Sequence, residues 1–387
     1  MYDLETPVNR TGTQSLKWEH FGGKDVIPMW VADMDLPSPP AVVEALRRRA
    51  EHGVFGYTLP PPELTRVIVE RFARRFAWEL DPAWIVYLPG LVVGLNVACR
   101  TQWGAGRAVG APGDQVATFT PVYPPFLTAP TLSGRGLVTA PLRETGGRWE
   151  PDWEALEAAI TPRTRLLLWC SPHNPCGRVW TRAEQEALAA FALRHDLIVV
   201  SDEIHGDLVL DPDAEHAPLA ARVPELASRT ITLHAPSKTF NVPGLGCAFA
   251  VIPDGELRRA FTRAMDGIVP HVNLFGYAAA LAAYRDGEPW RLELIDLLRR
   301  NAARVFEAIP AMPGLRTWPV EATYLAWIDA RGLGVPDPAA FFEAAGVGLS
   351  DGAPFGAPGF VRLNFGCPRA QLDAALSRMA AAATALR

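Results

Sequence analysis

The chain has 387 residues, of which 49% are hydrophobic and 20% charged, and its formal net charge at pH 7 is -5. A length in this range predicts about two or three domains of ordinary size, with ample core for a rigid site. The charge provides no basic surface, so nucleic acid is not an expected partner.

The five cysteines are scattered, without a CxxC pair or a His/Cys cluster at metal-ligand spacing. We therefore expect no metal centre and a reducing, cytoplasmic location. The N-terminal residues do not form a basic start followed by an apolar segment, and no stretch reaches about 18 uncharged apolar residues. Neither secretion nor a membrane span is expected.

Two helices are predicted before the central part of the chain. The segment "PSPPAVVEALRRRAEHG" has Val42, Val43 and Leu46 at helical spacing, with Ser38 as a candidate N-cap and Gly53 as the stop. The segment "PPPELTRVIVERFARRFAW" repeats the apolar spacing and predicts a second helix.

Short apolar runs then alternate with helical stretches between residues 84 and 252. The runs are "WIVYL", "QVATF", "RLLLWC", "LIVVS", "RTITLHA" and "GCAFAVI". Runs that are apolar on both faces and separated by helices predict a mostly parallel sheet covered on both sides. The sequence therefore predicts an α/β fold whose large domain, residues 46–285, is doubly wound.

The pattern changes from about residue 288. A long helix leads into the strand-like "TYLAWIDA", a helix near residues 337–345, the strand-like "GFVRLNF" and an Ala-rich final helix. This order of elements is typical of an α+β lobe. We therefore predict a smaller α+β domain over residues 286–387, joined by an N-terminal segment, residues 1–45.

Polar residues follow the apolar runs, and open α/β sheets bind ligands at the carboxyl ends of their strands. These residues are Asn174 after "LLLWC", Asp202 and His205 after "LIVVS", Ser237 and Lys238 after "TITLHAP", and Tyr123 after "QVATF". "WIVYLPG" leads into a helix start whose free N–H groups could hold a phosphate. Taken singly, such residues have ordinary explanations as turn residues, helix caps or solvated charges.

Taken together, these residues match the needs of one cofactor. Pyridoxal 5'-phosphate requires an amine for a Schiff base, an acid at its ring nitrogen and a donor to its ring hydroxyl. It also requires an aromatic cover and an anion site for its phosphate. The set supplies all five, so the sequence predicts a pyridoxal-phosphate site.

The order of several segments carries a family resemblance. These segments are "IPMWVADMD", "FGYT", "HNPCGRVW", "SDEIH", "APSKTFN" and "FVRLNFGCP". The chain resembles fold-type I pyridoxal-phosphate enzymes of the class I/II aminotransferase superfamily. It is most similar to the cystathionine β-lyase or C–S lyase branch of the MalY/PatB type, from about residue 3 to the last helix.

The resemblance implies a role for each residue around the cofactor ring. Lys238 would form the Schiff base and act as the catalytic base, and Asp202 would pair with the ring nitrogen. Asn174 would donate to the ring oxygen, and Tyr123 would stack on the ring. His205 stands where many aminotransferases carry a tyrosine that contacts the same oxygen, which favours a lyase over a transaminase.

The resemblance also implies how the substrate and the phosphate bind. Arg362 would hold the substrate α-carboxylate, and Tyr57 would also contact the substrate. The phosphate contacts would be the backbone groups of Val92 and Val93, the Ser237 hydroxyl, and Tyr57 from a neighbouring subunit, so that the active site requires a homodimer.

Two positions depart from the pattern of many fold-type I enzymes. Gly246 replaces an arginine eight residues after the lysine, and Ala235 replaces a serine three residues before it. Fewer groups are then available to hold the phosphate.

The expected reaction is β-elimination of L-cystathionine or a related L-cysteine S-conjugate to a thiol, pyruvate and ammonia. One alternative is an aminotransferase, which uses the same residues and requires a keto acid acceptor. Another is a regulatory binding protein that keeps the cofactor fold. Turnover without an acceptor distinguishes the lyase from both.

Overall fold

The computed structural model describes residues 2–103 and 113–386. The strands in these ranges are β1 Ile27–Pro28, β2 Ile85–Leu88, β3 Gln115–Thr120, β4 Gly136–Thr145, β5 Arg148–Pro151, β6 Thr164–Cys170, β7 Ile198–Asp202, β8 Thr230–His234, β9 Ala248–Val251, β10 Arg316–Thr317, β11 Leu325–Asp329, β12 Val347–Gly348, β13 Ser350–Asp351 and β14 Phe360–Asn364.

The helices in the same ranges are α1 Leu16–Glu19, α2 Pro40–Glu51, α3 Pro62–Phe76, α4 Leu91–Arg100, α5 Pro125–Leu132, α6 Trp153–Ala159, α7 Arg182–Arg194, α8 Leu219–Arg222, α9 Gly255–Met265, α10 Leu274–Asp286, α11 Glu288–Ala308, α12 Pro338–Ala344 and α13 Arg369–Ala385. None of these described helices combines the length and the apolar character needed to cross a membrane.

A mostly parallel sheet forms the centre of the fold, with strand order β2-β9-β8-β7-β6-β3-β4-β5. Strands β8, β7, β6, β3 and β4 pair in parallel, whereas β9 and β5 pair antiparallel to their neighbours. Alternate residues of one strand enter different cores: Val200 packs into the cluster on one face and Val199 into the cluster on the other. The sheet is therefore covered on both faces, which confirms the predicted α/β class.

A second sheet, of order β10-β11-β14-β13, is entirely antiparallel. The N-terminal segment reaches this part of the molecule through β1, which pairs in parallel with β12. Helices α11 and α13 contribute Leu294, Leu298, Leu372 and Leu376 to the core beneath this sheet.

The two predicted N-terminal helices are present as α2 and α3. Gly53 follows α2 with φ +74°, a conformation that favours glycine, as its predicted role as a stop requires. The predicted N-cap Ser38 is wrong, because Pro39 occupies that position and the Ser38 hydroxyl donates instead to the main-chain oxygen of Asn241 at 2.9 Å.

The hairpin of β4 and β5 was not predicted. Strand β4 alternates buried and exposed side chains over its second half and contains Pro141, so it lacks the continuous apolar run of the central strands. It lies near one edge of the sheet, where a proline is tolerated.

Candidate active site

The predicted site residues converge at the carboxyl edge of the central sheet. Strands β6 and β7 are in parallel register, with Cys170 opposite Asp202, and β7 pairs in parallel with β8. The loops that follow these strands therefore leave the sheet on the same edge. They carry Asn174, His205 and Lys238.

A cavity of about 290 Å³ lies at this edge. The predicted residues that line it are Lys238, Asp202, Asn174, Tyr123, His205, Ser237, Val92, Val93 and Arg362. Tyr57 does not line it, since its side chain is fully exposed in the single chain. Apart from Tyr57, the structure brings every predicted site residue to one place.

Lys238 presents its amine between opposing charges. Its Nζ donates to the main-chain oxygen of Ala32 at 2.6 Å. Removal from water, together with the nearby Arg362 charge, lowers the pKa of Lys238 to about 8, against the opposing effect of Asp33 and Asp202. A lysine with this pKa can exchange a proton near neutral pH, as a general base must.

Asp202 is buried at the end of β7, and its Oδ1 accepts from the Ile204 N–H at 3.2 Å. Burial raises the pKa of Asp202 to about 7, and the neighbouring Glu203 raises it further, while Lys238 opposes the rise. An acid in this state offers a proton, or a negative charge, to a basic nitrogen placed in the cavity.

His205 is also buried, and its Nδ1 has no protein hydrogen-bond partner. Burial and the charges of Lys238 and Arg362 lower the pKa of His205 to about 3, so the imidazole is neutral. A buried polar atom without a partner is costly in a folded protein. The His205 ring also lines the cavity, so it is a direct neighbour of any ligand bound there.

Arg362 is fixed on β14 by contacts on three sides. Nη1 donates to Asn174 Oδ1 at 3.0 Å, and Nη2 donates to the Trp30 main-chain oxygen at 3.1 Å. Nη2 also lies 3.3 Å from Ser350 Oγ, and the guanidinium carbon is 4.8 Å from the centre of the Phe355 ring. Burial lowers the pKa of Arg362 to about 10, which leaves it cationic at neutral pH. A fixed, planar cation of this kind suits a carboxylate.

The opposite end of the cavity is suited to an anion. Helix α4 begins there after Gly90, without a side-chain cap, so the N–H groups of its first turn, including those of Val92 and Val93, point towards the cavity end. Ser237 also lines the cavity, and the cationic side chains among the described lining residues are those of Lys238 and Arg362.

Gly246 explains why an arginine is absent from that end. It has φ +59°, and a Cβ atom there would lie 3.1 Å from the main-chain oxygen of Pro89. Any side chain at this position would be strained. The backbone of this loop is thus suited to glycine, which provides no charge there.

One structural feature of the site was only partly anticipated. Residues 30–36, which we call the strap, cross the cavity, and Val31 and Ala32 line it. This segment contains part of "IPMWVADMD", which contributes to the family resemblance, but the contacts of its main-chain oxygens were not predicted. Tyr324, whose hydroxyl donates to the Ala32 oxygen at 2.9 Å, was missed altogether. The only signal for it was the strand-like segment "TYLAWIDA", which suggests packing rather than a site.

Comparison with known proteins places the chain in a family. The sequence profile described as "Aminotransferase class I and II" matches residues 24–379. Cystathionine beta-lyase PatB of Bacillus subtilis (strain 168) is 38% identical over 386 residues, with 96% of this chain and 97% of the relative covered. Protein MalY of Escherichia coli (strain K12) is 33% identical, and all of both chains is covered.

Solved structures agree with this placement. The crystal structure of OvoB superposes with a TM-score of 0.95 at 45% identity, covering 99% of each chain. Cystalysin from Treponema denticola, whose crystal structure contains a pyridoxal 5'-phosphate cofactor, superposes with a TM-score of 0.93 at 32% identity over 100% of each chain. The chain belongs to the aminotransferase class I and II family, and its structural neighbours include C–S lyases.

Proposed function

We propose that this protein is a pyridoxal-phosphate-dependent C–S lyase. It catalyses β-elimination from L-cystathionine or related L-cysteine S-conjugates, giving a thiol, pyruvate and ammonia. The observation that carries this proposal is the single cavity in which the Lys238 amine, the Asp202 carboxyl group and the Arg362 guanidinium converge. The relative named cystathionine beta-lyase and the cofactor in cystalysin support it.

The cavity residues fit the polar groups of this cofactor. Asp202, whose pKa of about 7 lets it share a proton near neutral pH, would pair with the ring nitrogen. The His205 ring, which lines the cavity, would contact the ring oxygen. Asn174 Oδ1 already accepts a hydrogen bond from Arg362. The amide N–H groups of Asn174 would therefore donate to the ring oxygen. Tyr123 would cover the ring.

The phosphate would lie at the N-terminus of α4. The N–H groups of Val92 and Val93 and the Ser237 hydroxyl would bind it. Because Gly246 admits no cation, the helix end and hydrogen bonds would supply most of the binding from this chain.

When bound, pyridoxal phosphate supplies an aldehyde that reacts with amines and a conjugated ring that accepts the electron pair from the substrate α-carbon. Arg362 would bind the substrate α-carboxylate and so orient the α-proton. Lys238 Nζ would take this proton, which requires its neutral form. The Ala32 oxygen, 2.6 Å away, would then accept a hydrogen bond from the charged amine.

An aminotransferase is the second candidate, favoured by the description of the family itself. The same Lys238 and Asp202 serve both reactions, and the difference is whether turnover requires a keto acid acceptor. A purely regulatory binding role would not require Lys238, Asp202 and Arg362 to be kept together in one cavity.

The test compares the purified wild type with Lys238→Ala and with Lys24→Ala, an exposed lysine paired with Glu343. We expect the wild type and Lys24→Ala to absorb near about 420 nm and to release pyruvate from L-cystathionine without an acceptor. Lys238→Ala should lose both properties. If the wild type absorbs at about 420 nm but releases no pyruvate without an acceptor, the protein is an aminotransferase. If the wild type lacks the band, the cofactor role of Lys238 is refuted.

We also propose a homodimer in which Tyr57 completes the partner's phosphate site. Val54, Phe55, Tyr57 and Leu59 are 60% or more exposed in the single chain. An apolar run of this kind is what a partner subunit would cover. The partners would thus be a second copy of this chain and a small amino-acid substrate.

Two further expectations are proposals of the same kind. The division into a large domain, residues 46–285, and a small one, residues 286–387, is supported by the two separate sheets. A cytoplasmic location is supported by the five cysteines, which are all buried and free.

A further inference from the structure

Two asparagine side chains bind main-chain oxygens of the strap. Asn364 Nδ2 donates to the oxygens of Val31 and Asp33 at 2.6 and 2.7 Å. Asn241 Nδ2 donates to those of Met34 and Leu36 at 2.9 and 2.7 Å. Between the two oxygens held by Asn364, the Ala32 oxygen accepts from Lys238. The position of this oxygen, and of the side chain that follows it, is therefore fixed relative to the lysine.

The next residue, Asp33, places a negative charge one position after the Ala32 oxygen. Its carboxylate forms a two-point ion pair with Arg10, with Nη2–Oδ2 at 2.7 Å and Nη1–Oδ1 at 3.1 Å. Arg10 Nη1 also lies 2.8 Å from Asp35 Oδ1, and Lys17 Nζ lies 3.8 Å from Asp33 Oδ1. Arg10 thus fastens the N-terminal segment to the strap and opposes the Asp33 charge at the same point.

Charged and titratable groups surround Lys238 from every neighbouring element. They are Arg362 on β14, Asp202 at the end of β7, His205 in the loop after β7, Tyr324 before β11 and Asp33 on the strap. Arg362 disfavours the charged lysine, whereas Asp33 and Asp202 favour it. Asp202 has a cofactor atom to meet in the proposed enzyme, but Asp33 lies outside the cavity lining and has no ligand to meet.

We propose that Arg10 and Asp33 form an electrostatic positioning pair for Lys238, because the Asp33 carboxylate follows the Ala32 oxygen that Lys238 binds and is held at two points by Arg10. The pair does not touch the substrate. It acts through the lysine by setting how readily Nζ gives up its proton, while the strap holds the Ala32 oxygen in reach. This inference rests on the proposed role of Lys238 as the base.

The experiment measures the protonation of Lys238 directly in the cofactor-free full chain. Competitive labelling with acetic anhydride, read for the Lys238 peptide by mass spectrometry as a function of pH, gives the midpoint of its titration. For the wild type we expect a midpoint near pH 8. Asp33→Asn removes the charge but keeps the main-chain oxygens of the strap, so the midpoint should fall by roughly half a pH unit.

Arg10→Leu should move the midpoint in the opposite direction, because the Asp33 charge is then less opposed. Arg10→Lys keeps the charge and should stay near the wild type. The control is Arg378→Leu, which breaks the two-point pair of Arg378 with Asp25 and should leave Lys238 unchanged. Circular dichroism checks that each variant is folded.

Midpoints that move in the same direction in Asp33→Asn and Arg10→Leu, or that do not move in either, overturn the inference. The acidic limb of the pyruvate-release profile should shift with the labelling midpoint in each variant. The labelling requires no turnover, so a wild type that releases no pyruvate would refute the proposed function without deciding the role of this pair.

Discussion

Arg362 illustrates how single residues of this site are fixed before any ligand arrives. Its guanidinium stacks on Phe355 and donates to Asn174 and to the Trp30 oxygen, while its Nε is buried without a partner. The planar group therefore has one orientation, and it offers a fork rather than a point charge. Lysine at this position would keep the charge and lose the fork.

We predict that Arg362→Lys lowers kcat/KM for L-cystathionine by about 10- to 100-fold, since charge-assisted hydrogen bonds contribute about 1.5–3 kcal/mol. Steady-state pyruvate release measures the change. The matched control is Arg331→Lys, because Arg331 also lies over a phenylalanine, at 4.9 Å from Phe360, and forms a two-point pair with Asp329. If kcat/KM is the same in both variants, Arg362 does not bind the substrate carboxylate.

Site residues of this kind could be predicted from the sequence where a polar residue follows an apolar run. Asp202 ends a central strand, and Lys238 and Asn174 each follow one, so the topology alone brings them together. The Ala32 oxygen could not be predicted in this way, because a main-chain acceptor is present at every residue. Tyr324 was missed because its role depends on a contact across 292 positions of sequence.

Helices α3 and α11 are joined by a buried ion cluster around Asp207. Its Oδ1 lies 2.9 Å from Arg71 Nη2 and 2.6 Å from Arg75 Nε, and its main-chain oxygen accepts from Arg291 at 3.0 Å. Burial alone would raise the pKa of Asp207, but Arg71 and Arg75 hold it well below its usual range. The cluster therefore stabilises the fold only while this carboxylate is charged.

We predict that Asp207→Asn lowers the free energy of unfolding by roughly 3 kcal/mol or more, because it leaves buried arginine charges without compensation. Urea denaturation at neutral pH measures the loss. The control lies on α3, the helix that carries Arg71 and Arg75: Glu70 pairs with Arg66 at 2.9 Å at the surface, and Glu70→Gln should cost less than about 0.5 kcal/mol. Losses of similar size in the two variants would contradict this account.

Elements were predicted well where the periodicity was strong and less well at their ends. Helix α3 has the predicted apolar face, with Leu64, Val67 and Phe72 buried. Ser38 was a plausible cap for α2, but the Asn241 oxygen, more than 200 positions away, competes for its hydroxyl. The β4–β5 hairpin lacks an apolar run, so its pairing with β3 decides its structure.

The molecule as a whole should lose stability in mild acid because it buries neutral histidines. Burial lowers the pKa of His173 and His234 to about 4 and that of His205 to about 3, against 6.5 for an exposed imidazole. The unfolded chain therefore takes up protons that the folded chain does not. The stability that these neutral histidines contribute is fully present above about pH 6.5, and it is lost as the pH falls towards 4.

We predict that the free energy of unfolding falls by roughly 3 kcal/mol or more between about pH 7 and pH 5. Urea denaturation at several pH values measures this slope. His234→Gln should reduce the slope by about one proton, whereas replacement of the exposed His52 by Gln should not change it. A slope that is the same in His234→Gln as in the wild type would refute the assignment for that residue.

The proposed dimer makes a prediction that no single chain can satisfy. If Tyr57 acts in the partner's site, Tyr57→Ala and Lys238→Ala are each inactive or weak as homodimers, yet a mixed dimer has one complete site. Unfolding the two variants together and refolding them should restore about a quarter of wild-type pyruvate release. The control mixes Lys238→Ala with Asp202→Asn, which lie in the same cavity of one chain.

In that control mixture one subunit of the mixed dimer lacks Lys238 and the other lacks Asp202, so neither site is complete. Recovery in the Tyr57 mixture alone supports a shared site. No recovery in either mixture, with dimers present by sedimentation, would place Tyr57 outside the partner's cavity.

The strap also determines when the protein can become functional during its synthesis. It leaves the ribosome early, but the side chains that hold it come 207 positions later, at Asn241, and 333 positions later, at Asn364. Contacts across such separations form only after most of the chain exists, and they slow folding. A growing chain therefore contains Lys238 and Ala32 before Asn364 can hold the strap, and the cofactor site is complete only in chains whose translation has passed β14.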